Sequence, residues 1–235
     1  MDRLTRKELK SDRFALEVQH SIQVVSDHRQ QLTRWGTVVG VVAILVIGVM
    51  VYRDHQHSVR QEALHSSQQI LNAPIGPQPP GSELSISFPT QAARDQAVNK
   101  SFSELAAKYS GTDEGLIAEF FLGTNAADQG KLAEADKRLK LVADAGIPYS
   151  ALAKVSLAQV YGAEGKLAEG EKLMQSLIDH PTPLVSKETA TILLAELIQS
   201  KDPARARKLL EPLRSSTRSG VSRVAISALS DMTQK

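Results

Sequence analysis

Several residue types are absent or scarce in this chain, and each absence excludes a class of site, fold or partner. The 235-residue sequence has no cysteine, which excludes disulfides, thiolate zinc sites, iron–sulfur clusters and thiol catalysis. Aromatic residues make up only 4% of the chain, whereas all-β proteins are rich in aromatic and β-branched side chains. A net charge of +2 excludes a broadly basic nucleic-acid-binding protein. Composition therefore favours a mostly helical chain that does not bind nucleic acid.

The motifs of common catalytic and nucleotide-binding sites are also missing. None of GxxxxGK(S/T), GxGxxG, GxSxG or HExxH occurs in the sequence. The clustered metal-capable side chains are those of His55, His57, Glu62 and His65. On a helix, residues 55 and 57 point about 200° apart and cannot hold one ion together, so a solvated polar face explains this cluster better. We expect no enzymatic activity, no catalytic residue, no metal site and no cofactor.

One long apolar run dominates the N-terminal part of the chain. Residues 35–52 read WGTVVGVVAILVIGVMVY, contain no charge and lie between Arg34 and Arg53. As a helix this run spans roughly 27 Å, close to the ~30 Å hydrocarbon core of a bilayer. A buried core helix rarely stays apolar on all sides for so long. A cleaved signal peptide fits less well, because the preceding segment is long and no small-residue cleavage site follows. We therefore predict a transmembrane helix over residues 35–52, in contact with the lipid bilayer.

The segment before this run indicates the orientation of the chain in the membrane. Residues 1–34 carry seven Lys and Arg residues, a short basic segment of the kind retained in the cytoplasm, whereas long C-terminal domains cross largely regardless of charge. We predict a cytoplasmic N-terminus and an extracytoplasmic C-terminal domain. The same 34 residues predict an amphipathic helix, with a capping box at Thr5–Glu8 and an apolar stripe on one side. The stripe comprises Phe14, Val18, Ile22, Val25 and Leu32.

The apolar run is followed by a polar segment that we interpret as a stalk and linker over residues 53–89. Residues 53–71 continue the helical pattern with polar side chains. Residues 72–89 contain five prolines and two glycines, which cannot continue a helix and indicate an extended linker. The remaining residues, 90–235, are then predicted to form one domain.

This C-terminal domain contains an internal repeat. GKLAEADKRLKLV at residues 130–142 recurs as GKLAEGEKLMQSL at 165–177, an offset of 35, and KDPARARKLLEPL at 201–213 follows at an offset of 36. A period of 34–36 residues with two helices per unit is typical of tetratricopeptide repeats. We predict an all-α tetratricopeptide-like solenoid of about three helix pairs, preceded by a helix over residues 90–110. A capping helix over residues 220–234 is predicted to turn Val221, Val224, Ala225 and Leu229 inward.

Small residues mark where the two helices of each repeat cross. Gly123 and Ala158 occupy this position on the first helices, and Ala135, Gly170 and Ala206 occupy it on the second helices. Two residues depart from the usual pattern: Glu119 and Lys154 stand where tetratricopeptide repeats commonly have a large apolar side chain. A generic helical bundle is the alternative interpretation.

The first helices of such a stack line its concave face and suggest a partner groove. The corresponding residues are Phe120, Thr124, Val155 and Gln159. None of them is a cation, so a clamp for a peptide carboxylate is not expected there. An apolar helix or extended segment fits better, with one hydrogen bond from Gln159. Alternatively, Phe120 packs in the core against Phe102 and Leu105.

The chain resembles the YfgM-like family of ancillary Sec translocon subunits, which are membrane-anchored tetratricopeptide-repeat proteins. The likeness is carried by residues 102–135 and 150–177, and by the order of short N-terminal segment, single span and C-terminal repeats. The resemblance implies a bitopic protein of the bacterial inner membrane with a periplasmic repeat domain. It also implies translocon subunits and a membrane-anchored chaperone as partners, with client polypeptides as further candidates.

Three functions remain open at the level of sequence. The first is a translocon and chaperone accessory, the second is a scaffold for envelope or division machinery, and the third inverts the topology and places the repeats in the cytosol. A basic run over residues 201–223 adds seven Lys and Arg residues against two acidic ones. We interpret this run as a solvated helix face, with anionic headgroups or an acidic partner as the alternative.

Overall fold

The computed structural model describes residues 29–76 and 86–232 of the chain. The described residues form α-helices, one 3₁₀ turn and an isolated bridge between Ile75 and Phe88, with no strand. Residues 1–28 of the amphipathic helical segment predicted over residues 1–34, and linker residues 77–85, lie outside this part. The helices are α1 (Arg29–Leu71), α2 (Gln91–Lys108), α3 (Asp113–Asp128), α4 (Leu132–Ala143), α5 (Ser150–Ala163), α6 (Leu167–Asp179), α7 (Lys187–Ile198), α8 (Pro203–Leu210) and α9 (Ser219–Asp231). The all-α solenoid prediction is confirmed.

The chain divides into two compact units, Met1–Val59 and Arg60–Lys235. In the first unit, helix α1 carries the apolar run. Its most apolar stretch of 18 residues has a mean hydropathy of 2.3, and none of that stretch is buried. Trp35 and Tyr52 at its two ends are 70% and 64% exposed. Since a soluble fold buries such side chains, this helix fits a membrane anchor by length and composition. A signal sequence near the N-terminus meets the same two criteria.

The second unit begins inside helix α1, in the segment interpreted from sequence as a polar stalk. Ala63, Leu64, Ile70 and Leu71 pack against the buried cluster built around Phe102 of helix α2. These four side chains recur at helical spacing within an otherwise polar stretch, so the segment has one narrow apolar face. The last turns of α1 therefore contribute to the core of the second unit. The start of the repeat domain at residue 90 stays a prediction.

Polar contacts hold the end of helix α1 in the second unit. The side chain of Arg60 donates to the carboxylate of Glu114 at 3.0 Å, and Glu114 is only 4% exposed. About two turns further on, the hydroxyls of Ser67 and Ser101 lie 2.7 Å apart. A buried carboxylate is stabilised by such a charge-assisted hydrogen bond, so these contacts fix the register of α1 on its neighbours.

Three helix pairs follow, α3–α4, α5–α6 and α7–α8, as the repeat predicts. The first two pairs have the same kind of turn between their helices. In these turns Gly130 and Gly165 have φ of 73° and 78°, a left-handed conformation that glycine adopts freely. In each turn the next residue donates its backbone N–H to a carbonyl five residues back, at 2.9 Å for Lys131 and 2.8 Å for Lys166. In the third pair, Asp202 caps helix α8 instead, accepting from the N–H of Arg205 at 3.0 Å.

The helices of each pair approach closely at the small residues that the sequence identified. A Cβ added to Gly123 would lie 2.9 Å from the Leu139 side chain, and one added to Gly170 would lie 2.9 Å from the carbonyl oxygen of Ala158. Ala135, Ala158 and Ala206 are completely buried at the equivalent contacts. The predicted crossing residues are therefore confirmed.

The capping helix α9 differs from its prediction at one residue. Ala225 is completely buried, and Val221 and Leu229 pack on the core, but Val224 is 46% exposed. On a helix the inward stripe through residues 221, 225, 228, 229 and 232 is centred about 90° away from residue 224. The prediction for Val224 was wrong because an apolar residue at the edge of the stripe was counted as part of it.

The close crossing at Gly123 generates a stability prediction. We expect Gly123→Leu to lower the free energy of unfolding by about 1–3 kcal/mol, because the new side chain must displace Leu139. The control is Gly220→Leu, since Gly220 has no neighbouring atom within 4 Å of an added Cβ. Denaturant unfolding of both variants measures the difference. Equal midpoints for the two would contradict the close crossing.

Candidate functional site

The predicted groove residues lie one helical turn apart on two neighbouring first helices, Phe120 and Thr124 on α3 and Val155 and Gln159 on α5. Thr124 and Gln159 line the same cavity of about 250 Å³ between these helices. We call this cavity the α3–α5 cleft. The offset of 35 residues that relates Thr124 to Gln159 in the sequence thus places their side chains on one surface.

The α3–α5 cleft has a mixed lining. Its apolar part consists of Ala127, Leu132, Val160 and Ala163, and its polar part adds Asp128 and Ser156 to the two predicted residues. Sequence reasoning missed Asp128 and Ser156. Helical spacing could have found them, because Asp128 lies four residues after Thr124 and Ser156 lies three before Gln159.

The two predicted residues in the cleft differ in their free hydrogen-bonding capacity. The hydroxyl of Thr124 already donates to the carbonyl of Phe121 at 3.0 Å and retains only acceptor capacity. Gln159 is exposed and makes no side-chain hydrogen bond within the described part of the chain, so its amide can both donate and accept. Such an amide can pair with the backbone of a bound segment.

Phe120 belongs to an aromatic cluster and is half-buried. Its ring meets those of Phe121 and Tyr149 edge-on, with centroids 5.5 and 5.4 Å apart. Phe102, the expected core neighbour of Phe120, stacks instead on Phe121 at 4.8 Å. Phe121 thus packs against α2, whereas Phe120 packs against Tyr149 at the start of α5.

Val155 is also half-buried, and it packs against the core cluster that joins helices α5 to α8. Phe120 packs against a different cluster, the one centred on Leu139. The structure therefore brings Thr124 and Gln159 together at one cavity and does not place Phe120 or Val155 in its lining. Use of all four residues as one partner surface stays a prediction.

Glu119, which departs from the usual repeat pattern, is held by an ion pair. Arg138 on helix α4 donates to Glu119 at 2.6 Å and to Glu134 at 3.0 Å. Burial opposes the charge on Arg138, but the hydrogen bonds to the two carboxylates outweigh it and raise the pKa of Arg138. The pair links both helices of the first repeat where an apolar contact is usual.

Tyr161 occupies the predicted aromatic position near the end of helix α5. Burial is the main cause that raises the pKa of Tyr161, and the charge of Asp136 and a hydrogen bond with it add to the effect. The ring packs against the same core cluster as Phe120, and the ammonium of Lys166 lies 5.8 Å from its centroid. Tyr161 therefore supports the helix pair and does not enter the cleft.

Within residues 29–76 and 86–232, no group of three or more His, Asp or Glu side chains could hold a metal ion. The clustered histidines of α1, His55, His57 and His65, are exposed on that helix. The groups available for recognition at the α3–α5 cleft are thus apolar walls, an amide, hydroxyls and one carboxylate.

The packing of Phe120 leads to a prediction that separates its two roles. We expect Phe120→Asp to lose roughly 2–4 kcal/mol of stability, because a charge would replace a ring packed on two others. Gln159→Asp is the control, since it introduces the same side chain at an exposed position and should change stability by less than about 0.5 kcal/mol. Thermal melting of both variants checks this. An unchanged melting temperature for Phe120→Asp would show that the ring is not packed.

Comparison with known proteins agrees with this architecture. The model of the tetratricopeptide repeat-like domain family matches residues 29–182, more than half of the chain. The match includes the long helix α1 and the first two helix pairs, with the α3–α5 cleft between them. No curated protein and no solved structure matches the chain. The chain belongs to the tetratricopeptide repeat-like domain family.

Proposed function

We propose that this protein is a membrane-tethered protein-interaction module that serves as an accessory of the Sec translocon and its chaperone network. The observation that carries the proposal is the continuity of helix α1, which bears the exposed apolar run and ends in the core of the repeat unit. Tetratricopeptide stacks use extended concave surfaces to bind other proteins. An anchor joined to such a stack without a break keeps its partners near a membrane.

The family match supports the anchor as part of this design. It begins at residue 29, at the start of helix α1, and continues through the second helix pair. The anchor and the repeats are thus matched together. The proposed topology has a cytoplasmic N-terminus and extracytoplasmic repeats in the bacterial inner membrane, on the basis of the basic segment before the span.

The α3–α5 cleft is the proposed contact for an extended or helical apolar segment of a partner. Its volume of about 250 Å³ suits one or two apolar side chains, and Gln159 at its edge offers a hydrogen bond to backbone. The partner classes that follow from the YfgM-like resemblance are translocon subunits, a membrane-anchored chaperone and client polypeptides. A scaffold for envelope or division machinery is the second candidate, because it would use the same tether and the same cleft.

A reporter fusion at Lys235 tests the topology. We expect an alkaline phosphatase fusion to be active and a fusion to a cytosol-dependent fluorescent protein to be dark, because the C-terminus is proposed to lie outside the cytoplasm. The inverse result would place the repeats in the cytosol and remove both extracytoplasmic functions at once.

Site-specific photocrosslinking in intact membranes tests the partner. A benzophenone amino acid at Gln159 should capture translocon or chaperone subunits, identified by mass spectrometry, because this residue lines the cleft. The same amino acid at Lys172, which is exposed on helix α6 and does not line the cleft, is the matched control. Capture of division proteins at Gln159 would favour the scaffold. Identical adducts at both positions, or none at Gln159, would contradict the cleft as the contact surface.

A further inference from the structure

A second and larger cavity lies in the second repeat and shares no lining residue with the α3–α5 cleft. It has a volume of about 690 Å³ and is bounded by the start of helix α5, the end of helix α6 and the loops on either side of this pair. Its walls are mainly apolar and include Ile147, Leu177, Pro183 and Leu184. Cavities of this size commonly hold small ligands or anchoring side chains. We call it the Lys154 cavity, after the lysine in its lining.

The Lys154 cavity has no carboxylate in its lining. The hydroxyls of Ser150 and Ser176 donate to backbone carbonyls at 2.6 and 2.8 Å, and the hydroxyl of Thr182 accepts from the backbone N–H of Val185 at 3.1 Å. The other polar side chains in the lining are those of Lys154 and His180. Among the described residues, Lys154 forms no ion pair, although it is half-buried. An ammonium without a counter-charge beside apolar walls favours an anion as its neighbour.

The residues equivalent to Lys154 in the other two repeats have a counter-charge or close packing. In the first repeat the equivalent residue is Glu119, which pairs with Arg138 at 2.6 Å. In the second repeat the sequence offset of 35 places Leu173 at the position of Arg138, so Lys154 has no counter-charge there. In the third repeat the equivalent residue is Ala190, which is completely buried. At this position the second repeat has a cation without a counter-charge in the lining of an apolar cavity.

We propose that the Lys154 cavity binds a partner segment that presents an apolar side chain next to a carboxylate. The apolar side chain enters the cavity, and the carboxylate pairs with Lys154 as Glu119 pairs with Arg138 in the preceding repeat. Leu184, which is 47% exposed, adds apolar surface for the residues that flank the anchor. This site is separate from the cleft proposed above, and its occupant is acidic and apolar, whereas the cleft itself contains a carboxylate.

The test uses the full chain in nanodiscs of a zwitterionic lipid, so that no detergent competes for an apolar cavity. The probe is a fluorescein-labelled Gly/Ser dodecapeptide with a central Leu-Leu-Glu, and fluorescence anisotropy reports its affinity. Two matched peptides carry Leu-Leu-Lys or Gly-Gly-Glu in its place. We expect the Leu-Leu-Glu peptide to bind at least about tenfold more tightly than either, because each control lacks one half of the recognition.

Charge reversal in the protein then assigns the effect to one residue. Lys154→Glu should invert the preference in favour of the Leu-Leu-Lys peptide, and Lys154→Met should abolish discrimination between the two charged peptides while keeping an apolar wall. Lys137→Glu, an identical charge change at an exposed site outside the cavity, should leave the preference unchanged. Melting curves of all variants verify that they are folded, and Lys154→Met provides the result if Lys154→Glu is not.

Several results would overturn the proposal. These are equal binding of the three peptides, no saturable binding of any of them, or a preference for Leu-Leu-Glu that survives both substitutions of Lys154. Binding of sodium dodecanoate without binding of the Leu-Leu-Glu peptide would assign the cavity to a lipid anion instead. The translocon proposal is judged separately, because its crosslinks form at Gln159 and do not depend on Lys154.

Discussion

The close approach of paired helices at residues without large side chains is the constraint on which the rest of this structure depends. At Gly123 the facing Leu139 lies so near that even a methyl group would press on it, and at Gly170 the neighbour is a backbone oxygen. Because each pair is this tight, the helices of neighbouring pairs lie close together, and the first helices α3 and α5 face one cavity. The α3–α5 cleft exists because α3 and α5 are held by their partners and leave a space between them.

Helix packing also explains how the end of α1 joins the core of the second unit. Helix α1 is polar beyond its apolar run, yet a narrow stripe ending at Leu71 is enough to pack on the cluster around Phe102. The ion pair between Arg60 and the buried Glu114 fixes one position of α1 on its neighbours, which the four apolar side chains of its last turns would not do alone. Helix α1 thus carries the apolar run and also contributes its last turns to the core of the second unit.

Sequence alone predicted most of the fold, because its signals are local or periodic. The repeat offset and the small residues at 123 and 170 each report a contact between paired helices, and the structure confirms these contacts. The packing of residues 63–71 was missed because its apolar stripe is short and lies in a polar segment. The sequence could not separate the roles of Phe120 and Phe121, because the side chains of neighbouring residues on a helix point only about 100° apart. The rotation of α3 about its axis decides which of them faces α2, and it is Phe121.

The equivalent positions of the three repeats, Glu119, Lys154 and the buried Ala190, have different surroundings. A large apolar side chain there would fill the space between the helices of each pair in the same way. Here the first repeat fills it with an ion pair to Arg138 and the third with close packing, whereas the second leaves a lysine beside a cavity of about 690 Å³. A ligand that is both apolar and anionic would fill this cavity and supply the counter-charge that Lys154 lacks among the described residues.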